Sequence, residues 1–266
     1  MEPNIKFALV TGATSGIGYE LAKLFARDGY NLVIVARAKK ELEKTARELQ
    51  ALGAPGVVVM AKDLFKREEA FDLYEDVKNM GIRVDVLVND AGQGLYGEFI
   101  ETDIDRELNI IDLNISSVVI LTKQFLKEMT ARGNGKILNL ASIAGKLPGP
   151  LQSVYHGTKA FVHSFTEAIR NEVKDSGVTI TSLLPGATDT GFFRKAEMLD
   201  AKNVQEGELA DPADVARDGY DALMRGDDMV ISGWKNKAQV AISNITPDSK
   251  LAEKVHEQQK PVEEIK

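Results

Sequence analysis

The stretch that decides the fold is KFALV followed by TGATSGIG, residues 6–18. Its first part is an apolar run that is too short for a helix and ends at turn residues, as is typical of a buried strand. Gly12, Gly16 and Gly18 then lead into a helical pattern, with the spacing GxxxGxG instead of the standard GxGxxG. Such a turn lets backbone N–H groups and the positive end of a helix approach a pyrophosphate. The alternative is a turn that only closes the corner between strand and helix.

Short apolar runs alternate with helical patterns along the rest of the chain. This alternation predicts right-handed βαβ units, a parallel sheet, and one doubly wound α/β domain over residues 1–246. A long helix is expected over 103–130 and another over 153–175. The charged segment 247–266 is interpreted as a peripheral tail that is helical, frayed or packed on a partner subunit. The strands are expected at residues 6–10, 31–36, 56–63, 84–92, 136–142, 178–186 and 229–232.

Composition excludes several classes of function. The chain has 33 basic and 40 acidic residues, a net charge of −7, so its overall field attracts neither nucleic acid nor an anionic membrane. It contains no cysteine and 3 histidines, which leaves no thiolate chemistry and predicts no metal site. Without a leader-like start or an apolar run long enough to cross a bilayer, the expected location is cytoplasmic, with no membrane span.

The end of the second expected strand indicates which nicotinamide cofactor binds. An acidic residue there would bond the adenosine ribose, but this chain has Ala36 followed by Arg37,. A guanidinium suits a 2′-phosphate, so the residues predict NADP(H) over NAD(H). The alternative is that Arg37, like Lys39 and Lys40, is a solvated charge at the start of the next helix.

Residues 142–159 contain a group that is suited to proton transfer. Tyr155 and Lys159 are four positions apart and therefore share a helix face,. An ammonium near a phenol favours the phenolate, so we expect the pKa of Tyr155 to fall below its usual value. A tyrosine of this kind can exchange a proton with a carbonyl or alcohol oxygen, which the hydroxyl of Ser142 could hold.

With TGATSGIG at 11–18, NDAG at 89–92, SVYHGTK at 153–159 and PGATDT at 185–190, the chain resembles the classical short-chain dehydrogenases/reductases. The resemblance covers residues 5–235. It implies a seven-stranded Rossmann-type sheet of order 3-2-1-4-5-6-7 that binds a nicotinamide cofactor at the carboxyl ends of its strands. Asp90 stands where the family usually has a second asparagine, a mainly structural position at which no loss of activity is expected.

The resemblance also implies roles for single residues. Tyr155 would be the general acid in reduction, Lys159 would lower its pKa and hold the nicotinamide ribose, and Ser142 would polarise the substrate oxygen. Asn114 would anchor a water in a proton relay; alternatively, it satisfies a kinked helix backbone. With Gly16 from the glycine spacing, the expected cofactor residues are Gly12, Thr14, Ser15, Gly16, Ile17, Gly18, Arg37, Asp63, Leu64, Asn89, Ala91, Gly92, Tyr155, Lys159, Pro185, Gly186 and Thr188.

The expected reaction is hydride transfer between the nicotinamide and a carbonyl or alcohol, mainly reduction of a hydrophobic ketone or aldehyde. Residues 191–209 are interpreted as a mobile lid, and the family's usual assembly implies a homodimer or homotetramer. Two other functions stay open: a non-catalytic NADP-binding regulator and a nucleotide-sugar epimerase or dehydratase. The expected apolar wall of the substrate pocket, whose members could instead belong to the core or a subunit interface, comprises Leu95, Tyr96, Leu147, Phe192 and Phe193.

Overall fold

A parallel sheet organises the computed structural model, which describes residues 5–262. Within that part of the chain the sheet has seven strands in the order β3-β2-β1-β4-β5-β6-β7, and every neighbouring pair is parallel. The predicted fold class and strand order are therefore confirmed. The strands are β1 Phe7–Thr11, β2 Asn31–Ala36, β3 Val57–Ala61, β4 Val86–Asn89, β5 Gly135–Leu140, β6 Val178–Leu184 and β7 Met229–Ile231.

The sheet is buried on both faces, which is why its strands are continuous apolar runs. In β2, Leu32 and Ile34 pack into one core cluster, whereas Val33 and Val35 pack into the other. Successive side chains of a strand point to opposite faces, so a run of four apolar residues fits only a sheet covered by helices on both sides. The carboxyl ends of these strands are left free to carry the polar loops.

Helices pack on both faces of the sheet, and the last two lie beside the carboxyl ends of its strands. The helices are α1 Gly16–Arg27, α2 Lys39–Ala51, α3 Arg67–Asn79, α4 Ile104–Ile111, α5 Ser117–Ala131, α6 Ser153–Glu172, α7 Phe192–Lys195, α8 Lys202–Gln205, α9 Pro212–Arg225, α10 Trp234–Ser243 and α11 Asp248–Gln259. None of the helices between residues 5 and 262 has the length and apolarity that a membrane crossing requires.

The long helix that was expected over 103–130 is interrupted. A π-helical turn, Asp112–Ser116, separates α4 from α5 and contains the buried residue Asn114. Single π turns inside α-helices are frequent at functional sites, because the extra residue redirects one side chain. Here the turn directs the Asn114 amide toward the loop after β4 and toward α6.

The charged C-terminal segment forms the helix α11, one of the alternatives expected for it, and up to residue 262 it returns to the body of the protein instead of lying at its periphery; residues 263–266 are outside the described part of the chain. The backbone N–H of Lys202 donates to the carbonyl of Lys260 at 2.9 Å, and that of Val262 donates to Asp200 at 2.9 Å. Leu251 and Val255 of α11 are buried. The segment therefore packs against residues 191–209, which form a small apolar cluster around Phe193 and Met198.

Candidate active site

A cleft opens at the carboxyl ends of the strands, and its cavity has a volume of about 940 Å³. In open parallel sheets ligands bind at this edge, where the strand order reverses between β1 and β4,. The wall combines the glycine turn after β1, the loops after β4, β5 and β6, the first turns of α6, and residues of α10 and α11. The cleft therefore extends from a nucleotide-binding turn to the C-terminal helices.

The glycine turn is shaped so that the backbone can approach a phosphate. Gly12 and Gly16 have φ values of +72° and +61°, which other residues rarely adopt,. A Cβ atom at Gly18 would lie 2.4 Å from Oδ2 of Asp90, so this glycine allows α1 to pack closely on the loop after β4. The N-terminus of α1 points into the cleft, and the residues here fit the pyrophosphate of a dinucleotide.

The predicted cofactor residues fall into two groups. Those that line the cavity are Gly12, Ser15, Gly16, Ile17, Ala91, Gly92, Tyr155, Lys159, Pro185, Gly186 and Thr188. Thr14, Gly18, Arg37, Asp63, Leu64 and Asn89 lie outside this wall. Asn89 is buried and donates to the side chains of Thr122 at 3.0 Å and Asn139 at 2.9 Å. Its amide therefore connects β4 with α5 and β5.

Arg37 lies directly after the carboxyl end of β2 and is exposed. Its guanidinium carbon is 4.9 Å from the centroid of the Phe65 ring, an arrangement that orients the group and leaves its N–H donors free to bind. Asp63 and the buried Leu64 follow β3 on the adjacent strand. These residues lie outside the cavity wall, after the carboxyl ends of β2 and β3, the two strands on one side of β1.

Tyr155, Lys159 and Ser142 meet where β5, β6 and α6 converge. The Lys159 ammonium nitrogen donates to the carbonyl oxygen of Leu140 at 2.7 Å and lies 5.9 Å from the centroid of the Tyr155 ring. The hydroxyl of Ser142 donates to the carbonyl of Pro185 at 3.2 Å and accepts from the backbone N–H of Ala144 at 3.1 Å. The carboxyl ends of two strands therefore hold the serine beside the helix that carries the tyrosine.

The expected lowering of the tyrosine pKa is wrong for this structure. Burial raises the pKa of Tyr155 to about 12, and the interaction with Ser142 lowers it only in part. Desolvation of the phenol is the main cause, and the Lys159 ammonium donates to the Leu140 carbonyl and not to the phenol. Tyr155 therefore keeps its proton at neutral pH, which is the state that a proton donor needs.

Asn114 connects α6 with the loop after β4. Its amide nitrogen donates to the carbonyl of Gln93 at 2.9 Å and to the hydroxyl of Thr158 at 3.0 Å. Its amide oxygen accepts from the backbone N–H of Gln93 at 3.0 Å. A Cβ atom at Gly92 would lie 3.4 Å from this oxygen and 3.5 Å from the Lys159 nitrogen, so Asn114 and Lys159 face the same small space.

Asp90 carries a buried carboxyl group whose electrostatic effect on Lys159 the sequence analysis did not predict. Burial raises its pKa to about 7, against the opposing effects of Lys159 and the backbone N–H of Gly18. The pKa of Lys159 is in turn lowered to about 8 by burial, and Asp90 acts against that lowering. The two side chains therefore influence each other's charge next to the cofactor cleft. The signal was visible in the sequence as an acid within the NDAG motif.

Of the five residues expected in an apolar substrate wall, three lie at the cavity. Leu147, Phe192 and Phe193 line it, and the ring centroid of Phe192 is 5.0 Å from that of Tyr155. Phe193 also belongs to the apolar cluster of residues 191–209, and Leu95 is buried. Tyr96 points toward the C-terminal helix, where its hydroxyl donates to the backbone oxygen of Gln259 at 2.5 Å.

The C-terminal residues of the cavity wall were missed by sequence reasoning. Val255, Gln258 and Gln259 of α11 contribute to the wall, as do Trp234 and Asn236 of α10. Leu251, Val255 and Gln259, which follow one another at four-residue steps, are the buried face of α11. That spacing was a usable signal, since a periodic face in a charged segment indicates a helix with something to pack against.

A phenol and an ammonium beside a nucleotide-binding turn are the arrangement of a dehydrogenase or reductase. The sequence profile of the short chain dehydrogenase family matches residues 6–199. The chain belongs to the short-chain dehydrogenase family and is an oxidoreductase that acts on alcohol or carbonyl groups. The predicted family is therefore confirmed.

Individual proteins agree with this assignment. An uncharacterised oxidoreductase of Staphylococcus epidermidis is 32% identical over 77% of this chain and 88% of its own length. A short-chain dehydrogenase of Sphingobium yanoikuyae, solved in complex with NADPH, has a TM-score of 0.81 and 26% identity, covering 91% of this chain and 97% of that one. The bulky-bulky ketone specific alcohol dehydrogenase of Comamonas testosteroni has a TM-score of 0.76 and 25% identity, covering 95% and 99%.

Proposed function

We propose that the protein reduces a hydrophobic ketone or aldehyde with NADPH, using Tyr155 as the proton donor. The observation that supports this most directly is the position of Tyr155. Its ring lies in the cavity wall with Ser142 on one side, Phe192 on the other, and the glycine turn across the cleft. A ketone in this space meets hydroxyl groups at its oxygen and an apolar surface along its body.

Each residue of the site has its own role in the proposed reduction. A nicotinamide bound in the cleft supplies the hydride for the carbonyl carbon. Ser142 holds the substrate oxygen, and Tyr155, which keeps its proton because of its raised pKa, donates that proton to the oxygen,. Lys159 contributes an ammonium that holds the ribose, and Asn114 positions the helix that carries both residues through its bond to Thr158.

A panel of ketones and aldehydes, followed by NADPH absorbance, tests this function. Bulky apolar ketones are expected to be the better substrates, because Leu147 and Phe192 line the space around Tyr155. The solved alcohol dehydrogenase of Comamonas testosteroni, which is described as specific for bulky-bulky ketones, supports that choice. Absence of NADPH oxidation with every carbonyl compound of the panel would contradict the proposal.

Replacing Arg37 with aspartate should weaken NADPH binding by about 10- to 100-fold, because charge-assisted bonds to a phosphate contribute about 1.5–3 kcal/mol. The affinity for NADH, which has no 2′-phosphate, should not fall. Fluorescence titration of both cofactors measures the difference. Lys40→Asp makes the same change of charge at an exposed residue of α2 and should have a small effect. An unchanged NADPH affinity in Arg37→Asp would refute the NADP(H) preference.

We also infer that the protein forms a homo-oligomer through α4 and α6. Ile104 and Leu108 on α4 are 62% and 50% exposed, and Phe161 on α6 is 41% exposed. Phe161 stacks on Phe165 with ring centroids 5.8 Å apart, so the exposed face of α6 is aromatic. Sedimentation analysis should give a dimer or tetramer that Phe161→Lys dissociates, because a charge in an apolar interface is costly. A monomeric wild type would disprove this assembly.

A further inference from the structure

Two buried amide groups at the C-terminal end of the cavity have no part in the roles described above. Gln152 is the residue before α6, and Gln259 ends α11. Both side chains are 5% exposed, and both line the cavity. Neither Nε2 of Gln152 nor Oε1 of Gln259 has a hydrogen-bond partner within residues 5–262. Because an unpaired buried polar group is unfavourable, these atoms mark a place where a ligand can supply the partners.

The hydrogen bonds of His156 determine which end of the Gln259 amide is free. Nδ1 of His156 lies 2.9 Å from the carbonyl oxygen of Leu147, and a carbonyl only accepts, so Nδ1 carries the proton. Burial lowers the pKa of His156, so the ring is neutral and its Nε2 accepts. The Gln259 group that lies 3.4 Å from Nε2 is therefore the NH₂ donor. This assignment follows from the bonding pattern and leaves Oε1 as an acceptor.

Backbone contacts hold Gln259 in this position. Tyr96 donates to its carbonyl oxygen at 2.5 Å, and the next residue, Lys260, accepts from the backbone of Lys202 at 2.9 Å. A side chain anchored at both its amide and its backbone presents one fixed hydrogen-bonding atom. That is the condition under which a polar group discriminates between substrates.

Gln152 lies close to the reacting group. A Cβ atom at Gly94 would lie 3.2 Å from Nε2 of Gln152 and 3.4 Å from Cδ2 of Tyr155. The backbone N–H of His156 also donates to the carbonyl of Gln152 at 3.0 Å. Gln152 and Gln259 therefore approach the first turn of α6, which carries Tyr155, from two different parts of the chain.

We propose that Gln152 and Gln259 form a specificity-determining subsite for a hydroxyl group, and that the substrate is an apolar ketone or aldehyde with a hydroxyl remote from the reacting carbonyl. This inference rests on the proposed reductase function. A hydroxyl both donates and accepts, so it suits the acceptor Oε1 of Gln259 as well as the donor Nε2 of Gln152. A wholly apolar substrate would leave both amides unpaired, and a carboxylate could not donate to Oε1.

Steady-state kinetics on a matched pair of substrates tests the subsite. The pair is a bulky ketone and its analogue with one hydroxyl at the opposite end, both reduced with NADPH. Wild-type kcat/KM should favour the hydroxyketone by about 10- to 100-fold. Gln259→Leu, which removes the acceptor at similar size, should bring the ratio to about one, and Gln152→Leu should lower it independently. Gln50→Leu, the same substitution on an exposed residue of α2, should keep the wild-type ratio.

A binding measurement separates this inference from the proposed reductase function. Calorimetry in the presence of NADP⁺ compares the product diol with the product alcohol that lacks the second hydroxyl. If the wild type reduces neither ketone but binds the diol more tightly, and Gln259→Leu loses that preference, the reductase function fails and the subsite stands. If both products bind equally to the wild type, or Gln259→Leu keeps the wild-type preference, the subsite is overturned whatever the turnover.

Discussion

Replacing Tyr155 with phenylalanine should lower kcat/KM for carbonyl reduction by about 10²–10⁴-fold. A positioned general acid contributes an effect of this size, and phenylalanine keeps the ring while removing the proton. The raised pKa of Tyr155 means that the wild type carries this proton at neutral pH. The contact between the ring and Phe192, at 5.0 Å between centroids, needs no hydroxyl, so the variant should fold as the wild type does.

The measurement is steady-state reduction of the best ketone of the panel, with cofactor affinity from fluorescence titration. Tyr74→Phe is the matched control, since it removes a hydroxyl that bonds Glu128 at 2.6 Å on the side of α3 and α5. That variant should keep its activity. If Tyr155→Phe retains more than about a tenth of the wild-type kcat/KM, Tyr155 is not the proton donor.

Asp90→Asn should stabilise the cofactor-free protein at high pH. The pKa of Asp90 is raised from 3.8 to about 7 by burial, so the folded protein holds this proton more tightly than the unfolded chain does. Ionised Asp90 is therefore destabilising. Its cost is absent below the unfolded pKa of 3.8, grows between that pH and about 7, and stays constant above it,. Asparagine has the same shape without the charge and avoids this cost.

The expected gain in the free energy of unfolding is at most about 4 kcal/mol at pH ~9, since each pKa unit corresponds to about 1.4 kcal/mol. Near pH ~9 Lys159 is mostly neutral, because burial lowers its pKa to about 8, so the loss of its partner costs least there. The gain should shrink toward pH ~4. Denaturant unfolding at both pH values measures it, with the exposed Asp175→Asn as control. An equal gain at both pH values would contradict the charge argument.

Much of the fold could be predicted because its signals are local. Each strand is a short apolar run between turn residues, and burial on both faces explains why the run is continuous in β2,. The glycine turn and the four-residue spacing of Tyr155 and Lys159 are also local, so the part of the site near the cofactor was predictable. The structure places these two residues on one face of α6, as the spacing requires.

The remaining features depend on contacts between distant parts of the chain. The spacing of Tyr155 and Lys159 places the ammonium near the phenol but does not determine that it bonds the carbonyl of Leu140. Burial in the folded protein raises the pKa of Tyr155, where the spacing alone led to the expectation of a fall. The spacing of the buried face indicates that α11 packs against something, but the place where it docks depends on pairing between Asp200 and Val262, which lie far apart in the sequence.

The return of α11 to the cavity divides the site into two parts that can change separately. The residues that we propose for the reacting carbonyl, Ser142 and Tyr155, lie after β5 and on α6, which pack against the core of the sheet. Gln259 ends α11, beyond residue 199, where the match to the family profile ends. Under the proposed subsite, substitution of Gln259 should alter substrate preference without changing Ser142 or Tyr155. Such a division lets new substrates be acquired in evolution while the chemistry is retained.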